Sequence, residues 1–165
     1  MVIHLSSLWM LAFDFLGWLV ISLGVAGITS MLRANDFDPQ NWLFIERKWE
    51  NKSRFYESIF NIKQWKRWLP DGAEVSRKAF KKKHLQNADS AYIQVFILET
   101  CRAEILHWII FLFGFIFFIW NPWYVGIIMI IYAGITNLPC ILTQRYNRAR
   151  LNRLLFARLD LEKQH

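Results

Sequence analysis

Four ionisable residues fall within nine positions of one segment: Glu99, Arg102, Glu104 and His107, in ETCRAEILH. On a helix turning ~100° per residue, Glu99 and Arg102 are i,i+3 neighbours, and so are Glu104 and His107. A carboxylate beside an imidazole holds one ring nitrogen and leaves the other with a lone pair, the arrangement of a general-base histidine. The same spacing also suits a ladder of ion pairs that merely anchors a helix at a membrane surface. A second polar group lies further on: Asn137, Gln144 and Arg148 recur at i, i+7 and i+11, one stripe of a helix. Arg145 lies near it, and TQRYNRAR adds Tyr146, Asn147 and Arg150. A basic stop-transfer tail accounts for Arg153 and Arg158 but not for Asn137 and Gln144, because a buried amide in an apolar helix must find a partner. The two groups are expected to face each other, His107 and Glu104 on one side of a cleft and Asn137, Gln144 and Arg148 on the other.

What must position them is set by an uneven apolar pattern. The chain has 165 residues, 55% of them hydrophobic, with 14 Phe and 9 Trp beside 20 Lys+Arg. That apolar load excludes disorder, and the length favours one domain. The apolar residues are bunched in three runs, at 8–32, 105–120 and 125–143, the first carrying the single charge Asp14. A hydrocarbon core ~30 Å thick takes ~20 helical residues. The reading is an all-α integral membrane protein of one membrane domain, with three spans at about 8–32, 103–120 and 123–143. The short second run is extended upstream by the helix-compatible ADSAYIQVFILETCRAE, and Asn121-Pro122 turns the chain into the third. A re-entrant pair that dips in without crossing is the alternative for the last two runs. Cys101 and Cys140 read as small core side chains. The four histidines (His4, His84, His107, His165) are scattered and show no metal-ligand spacing, so no metal is expected. Asp14 has no role legible in the sequence.

Residues 33–104 hold 14 Lys+Arg against 10 Asp+Glu, and 144–165 hold 6 against 2, whereas 1–7 and 121–124 hold none. By the positive-inside rule the N-terminus is outside, the C-terminus inside, and both basic segments are cytoplasmic. The segment 33–98 interleaves Trp42, Phe44, Trp49, Phe55, Phe60, Trp65 and Trp68 with Lys48, Arg54, Lys63, Lys66 and Arg67. That composition suits short interfacial amphipathic helices, rings at the headgroups and cations toward anionic lipid. Nucleic-acid binding is not expected of a patch tethered between spans without a recognition motif. Leu69-Pro70-Asp71-Gly72 marks a turn, and Lys81-Lys82-Lys83-His84 a solvated edge.

ETCRAEILHW (Glu99–Trp108) together with NLPCILTQRYNRAR (Asn137–Arg150), and more weakly WKRWLPDG and KKKHL, is similar to a family of small membrane proteins, the glycosyl-4,4'-diaponeurosporenoate acyltransferases of staphyloxanthin-type carotenoid synthesis in Gram-positive bacteria. The resemblance implies transfer of a fatty acyl group to a sugar hydroxyl of a glycosylated C30 carotenoid acid, in the cell membrane. Such a reaction needs a base for the hydroxyl proton and donors for the developing oxyanion. His107 is the expected base and Glu104 its orienting carboxylate. Arg102, paired with Glu99, and Arg145 and Arg148, with Asn137 and Gln144, are expected to hold the donor's polar head and the tetrahedral intermediate, and Tyr146 and Asn147 to meet the sugar. The expected partners are a fatty acyl donor such as a thioester and a glycolipid or glycosyl carotenoid acceptor, with no other cofactor. The competing class is a non-catalytic membrane subunit that binds a lipid or a protein.

Overall fold

The computed structural model describes residues 7–50, 53–65 and 90–163. The expected turn at 69–72, the lysine run at 81–83 and His4, Trp68, His84 and His165 lie outside them. Helix α1 spans Ser7–Met31. Short 3-10 turns follow at Ala34–Asp36 and Lys48–Glu50, then the brief helices α2 (Arg54–Ser58) and α3 (Ile62–Trp65). Helix α4 spans Ser90–Phe113 and tightens into a 3-10 stretch, Gly114–Ile119, before α5 at Trp123–Glu162. Among the described residues there is no strand. Among the described residues three helical segments are long and apolar enough to cross a membrane: Leu8–Met31, Ser90–Ile119 and Trp123–Glu162.

Helix α4 starts at Ser90, within the upstream extension read from the sequence. One boundary differs: α5 runs for 40 residues through the stretch assigned to a tail. At ~1.5 Å per residue that is about 60 Å, twice a bilayer core. Hydropathy marks where a helix leaves apolar surroundings, not where it ends; 144–162 is rich in Arg, Leu and Ala, all good helix formers. Pro139 lies inside α5 and withdraws the helical donor from the carbonyl of Ile135.

The chain divides into two compact units, one made of α1 with Ile105–Pro139, the other of the described parts of Arg33–Glu104 and Cys140–His165. In the first unit the contacts are aromatic and small-residue. Trp18 stacks on Phe117 with centroids 4.8 Å apart and meets Tyr132 edge-on at 5.3 Å. Where a lipid-immersed chain gains nothing from burying apolar surface, close approach is what holds helices together. Gly114 permits it: a Cβ there would come within 3.0 Å of that of Ala133. Asp14, the lone charge of the first run, is buried, and its Oδ1 accepts from Trp120 Nε1 at 2.8 Å and Asn121 Nδ2 at 2.7 Å. The turn between the second and third spans is thereby tied to α1, and an intramembrane carboxylate gains the partners it requires.

In the second unit, the start of α4 lies antiparallel to the end of α5. Ile93, Ile97 and Leu151 form one buried cluster, while Tyr56 and Ile62 from the short helices close on Tyr146 of α5 in another. The described residues of 33–65 thus form a layer of short helical pieces and irregular chain fixed to α5, turned by left-handed residues at Ser53 (φ 69°) and Asn61 (φ 46°).

Gly126 provides a test of the packing. A Cβ there would lie 2.4 Å from the Phe118 ring, whereas at Gly24 nothing stands within 4 Å. Gly126→Ala is expected to destabilise by roughly 1–3 kcal/mol despite its better helix propensity, and Gly24→Ala to be neutral or stabilising by up to about 1 kcal/mol. Thermal unfolding in detergent reads both, and Phe118→Ala should restore the Gly126→Ala protein.

Candidate functional site

Each unit holds one polar cluster built on α4 and α5. In the second unit the centre is Glu104, fully buried. Its Oε1 accepts from Arg145 Nε at 2.8 Å and its Oε2 from Arg148 Nη2. Arg145 Nη1 donates to Glu50 Oε1 at 3.0 Å, and its Nη2 donates to the carbonyl of Leu43. Arg148 Nε donates to the carbonyl of Phe44 at 3.1 Å and Nη1 to Cys101 Sγ at 3.7 Å, with its guanidinium 5.3 Å above the Phe44 ring. Two buried carboxylates thus meet two guanidinium groups whose nitrogens all have partners. Removing one member of such a set leaves an uncompensated buried charge.

Around this core, Tyr146 Oη donates to Glu57 Oε1 at 2.9 Å, Lys63 Nζ donates to Glu57 Oε2 at 2.8 Å, and Arg153 Nη2 donates to Ser53 Oγ at 2.9 Å. The Lys63 bond first, then that from Tyr146, holds the Glu57 carboxyl below its ordinary range. Burial, then the charge of Glu50, pushes the Tyr56 phenol well above its ordinary value, so it stays neutral. Arg102 pairs with Glu99 at 2.5 Å, as the i,i+3 spacing predicts. Gln144 is half-buried and makes no side-chain hydrogen bond among the described residues.

In the first unit, His107 of α4 meets Asn137 of α5, Nδ1 to Oδ1, at 3.0 Å. Asn137 Nδ2 donates to the carbonyl of Ala133 at 2.9 Å and to Thr136 Oγ1 at 3.1 Å. With the amide nitrogen engaged on α5, the oxygen must be the atom turned to the imidazole. An amide oxygen only accepts, so Nδ1 carries the proton and Nε2 keeps the lone pair. Nε2 has no hydrogen-bond partner among the described residues.

The structure brings His107 to Asn137, and Glu104 to Arg145 and Arg148, each within its own unit. It differs from the sequence reading in who holds whom. Both Glu104 oxygens go to guanidinium groups, and the ring nitrogen expected to face Glu104 faces Asn137. Two cations outcompete a neutral imidazole for a buried carboxylate. Arg145 and Arg148, read as ligands of a donor head group, fasten the 43–50 segment instead, and Tyr146, read as a sugar contact, holds Glu57. Glu50, Glu57, Tyr56 and Ser53 were missed, since the helical pieces there are three to five residues long, too short for periodicity to show which side faces inward.

The sequence profile of the glycosyl-4,4'-diaponeurosporenoate acyltransferases matches residues 39–157, which include both clusters. Proteins of that name from Staphylococcus aureus strains bovine RF122 / ET3-1, MRSA252 and USA300 are 36%, 35% and 34% identical to this chain over 138 residues, covering 84% of it and 83% of each relative. No solved structure matches it.

Glu104→Gln is expected to lower stability by about 3–5 kcal/mol, and Arg102→Ala by no more than about 1 kcal/mol, measured by thermal unfolding or protease resistance in detergent. Glu57 gives a pH dependence. A carboxyl whose folded pKa lies below its unfolded value stabilises fully above the ordinary range, about 4.3, and loses that contribution as pH falls through the folded value. The acid limb of the stability curve should therefore flatten in Lys63→Ala, which loses the bond that depresses Glu57 most.

Proposed function

The chain belongs to the glycosyl-4,4'-diaponeurosporenoate acyltransferase family, and on that premise we propose that it is a membrane O-acyltransferase that moves a fatty acyl group onto a sugar hydroxyl of a glycosylated C30 carotenoid acid or a similar glycolipid. The observation that carries the mechanism is the His107–Asn137 bond. Asn137 does for the imidazole what the sequence reading assigned to Glu104: it fixes the Nδ1–H tautomer and leaves Nε2 as the base.

His107 Nε2 takes the proton of the acceptor hydroxyl while that oxygen attacks the acyl carbonyl carbon of a thioester donor. The tetrahedral intermediate collapses with cleavage of the C–S bond, and the imidazolium returns its proton to the departing thiolate. The products are the sugar ester and a free thiol, and the histidine ends neutral. In the second unit, Arg102 and Gln144 stand outside the Glu104 network. The lysine and arginine bias between flanks argues for an N-out, C-in multi-pass protein of the cell membrane with its reactive face to the cytoplasm, where acyl thioesters are made.

One observation favours the second reading, a non-catalytic membrane subunit. Most of the polar residues first read as substrate ligands are engaged with other side chains of the protein, as a scaffold requires. Mass spectrometry of lipids and pigments from cells supplied with the glycosylated carotenoid and expressing wild type or His107→Ala separates the two. The acyltransferase reading expects an added fatty-acyl mass with wild type and a loss of roughly 10²–10⁴-fold in rate with the variant, at equal membrane insertion. Unchanged acylation in the variant removes His107 from the mechanism. Absence of any acylated product with wild type favours the subunit.

A further inference from the structure

The layer between α1 and α4 sorts its charges. Within 41–65, the described acids Glu46, Glu50 and Glu57 are all buried or half-buried, whereas the described cations Arg47, Lys48, Arg54 and Lys63 are all exposed. The sorting has a physical cause on α5: Arg145 draws Glu50 inward and Tyr146 draws Glu57. Upstream, Asp36 and Asp38 are exposed but turned to local backbone, accepting from the amides of Arg33 and Gln40.

On the same layer stand large apolar side chains that the other described residues leave exposed. Trp42 is 72% exposed, Ile59 62%, Trp49 53% and Ile45 45%. Part of the layer is a connected aromatic cluster: the Trp49 and Phe55 rings meet edge-on at 4.8 Å and Phe55 and Phe60 at 5.8 Å, while Arg47 Nη2 donates to the carbonyl of Trp42 at 3.1 Å. Single exposed hydrophobic residues need no explanation, but a connected aromatic patch rimmed by cations does. A soluble protein groove offers no general reason to exclude acids from the rim. A lipid leaflet with phosphate headgroups offers one: indole rings sit at the headgroup level, and each nearby cation is attracted while each acid is repelled.

We propose that the described residues of 42–50 and 53–60 form a docking surface for an anionic lipid leaflet, with Trp42, Ile45, Trp49 and Ile59 entering the headgroup region and Arg47, Lys48 and Arg54 meeting lipid phosphates. The surface differs from an amphipathic helix, because its polarity comes from the Glu50–Arg145 ion pair and the Tyr146–Glu57 hydrogen bond to α5 and not from helical periodicity. It is independent of the acyl-transfer chemistry.

The test uses the full chain in nanodiscs made with brominated phosphatidylglycerol or brominated phosphatidylcholine, with bromines high on the acyl chains. The fluorescence of Trp42 and Trp49 is obtained as the difference between wild type and Trp42→Phe/Trp49→Phe. That difference signal should be quenched more strongly by the brominated anionic lipid, and Arg47→Gln/Lys48→Gln/Arg54→Gln should abolish the preference while leaving thermal stability unchanged, since these side chains lie outside the buried network. Equal quenching in the two lipids, a reversed preference, or no quenching in either, as expected if the patch receives a protein partner or water, would overturn the proposal.

Discussion

A guanidinium group taken out of water must have all its donors met, and the second unit is organised around meeting those of Arg145. Its three nitrogens reach Glu104 on α4, Glu50 in a 3-10 turn and the carbonyl of Leu43 in a loop. One side chain of α5 therefore fixes the register of a neighbouring helix and the path of an irregular segment that has few backbone hydrogen bonds of its own. Arg148 repeats the device one turn on, through Glu104 and the carbonyl of Phe44. Such bonds are directional, and a bidentate fork admits little displacement. The same constraint leaves the outward side of that segment cationic.

In the other unit the polar inventory is smaller and differently used. Asp14 is satisfied by Trp120 and Asn121, which joins α1 to the turn between the next two spans. Among the described residues His107 has a single hydrogen-bond partner, and it engages one ring nitrogen only. The division between a saturated ionic network and a half-buried, half-satisfied imidazole is what the proposed acyl-transfer mechanism draws on for its assignment of roles.

Much of this was legible in residue spacing. The three apolar runs, the turn at Asn121-Pro122 and the convergence of His107 with Asn137 and of Glu104 with Arg148 all follow from helical periodicity and an antiparallel hairpin. The local pairing of Glu104 with His107 followed from the same periodicity and did not hold, because periodicity cannot rank an i,i+3 neighbour against charges 41 and 44 residues away. Asp14 was unreadable for a related reason, its partners being 106 and 107 residues distant. Glu50 and Glu57 sit in helical pieces of three and five residues and Ser53 in the left-handed turn before the second, too short for a periodic pattern, so their inward orientation is read only from long-range partners. The extra length of α5 was hidden because a polar helix and a polar tail look alike in hydropathy.

The central claim is that Asn137 holds His107 with its proton on Nδ1 and its lone pair on Nε2. Nitrogen-15 NMR of ring-labelled histidine in lipid nanodiscs reads this directly, with His107→Gln identifying the resonances. At neutral pH the account predicts a protonated-type Nδ1 and an unprotonated-type Nε2 for His107, and a mixture of tautomers in Asn137→Ala. A wild-type His107 protonated at Nε2, with or without a proton on Nδ1, would contradict it.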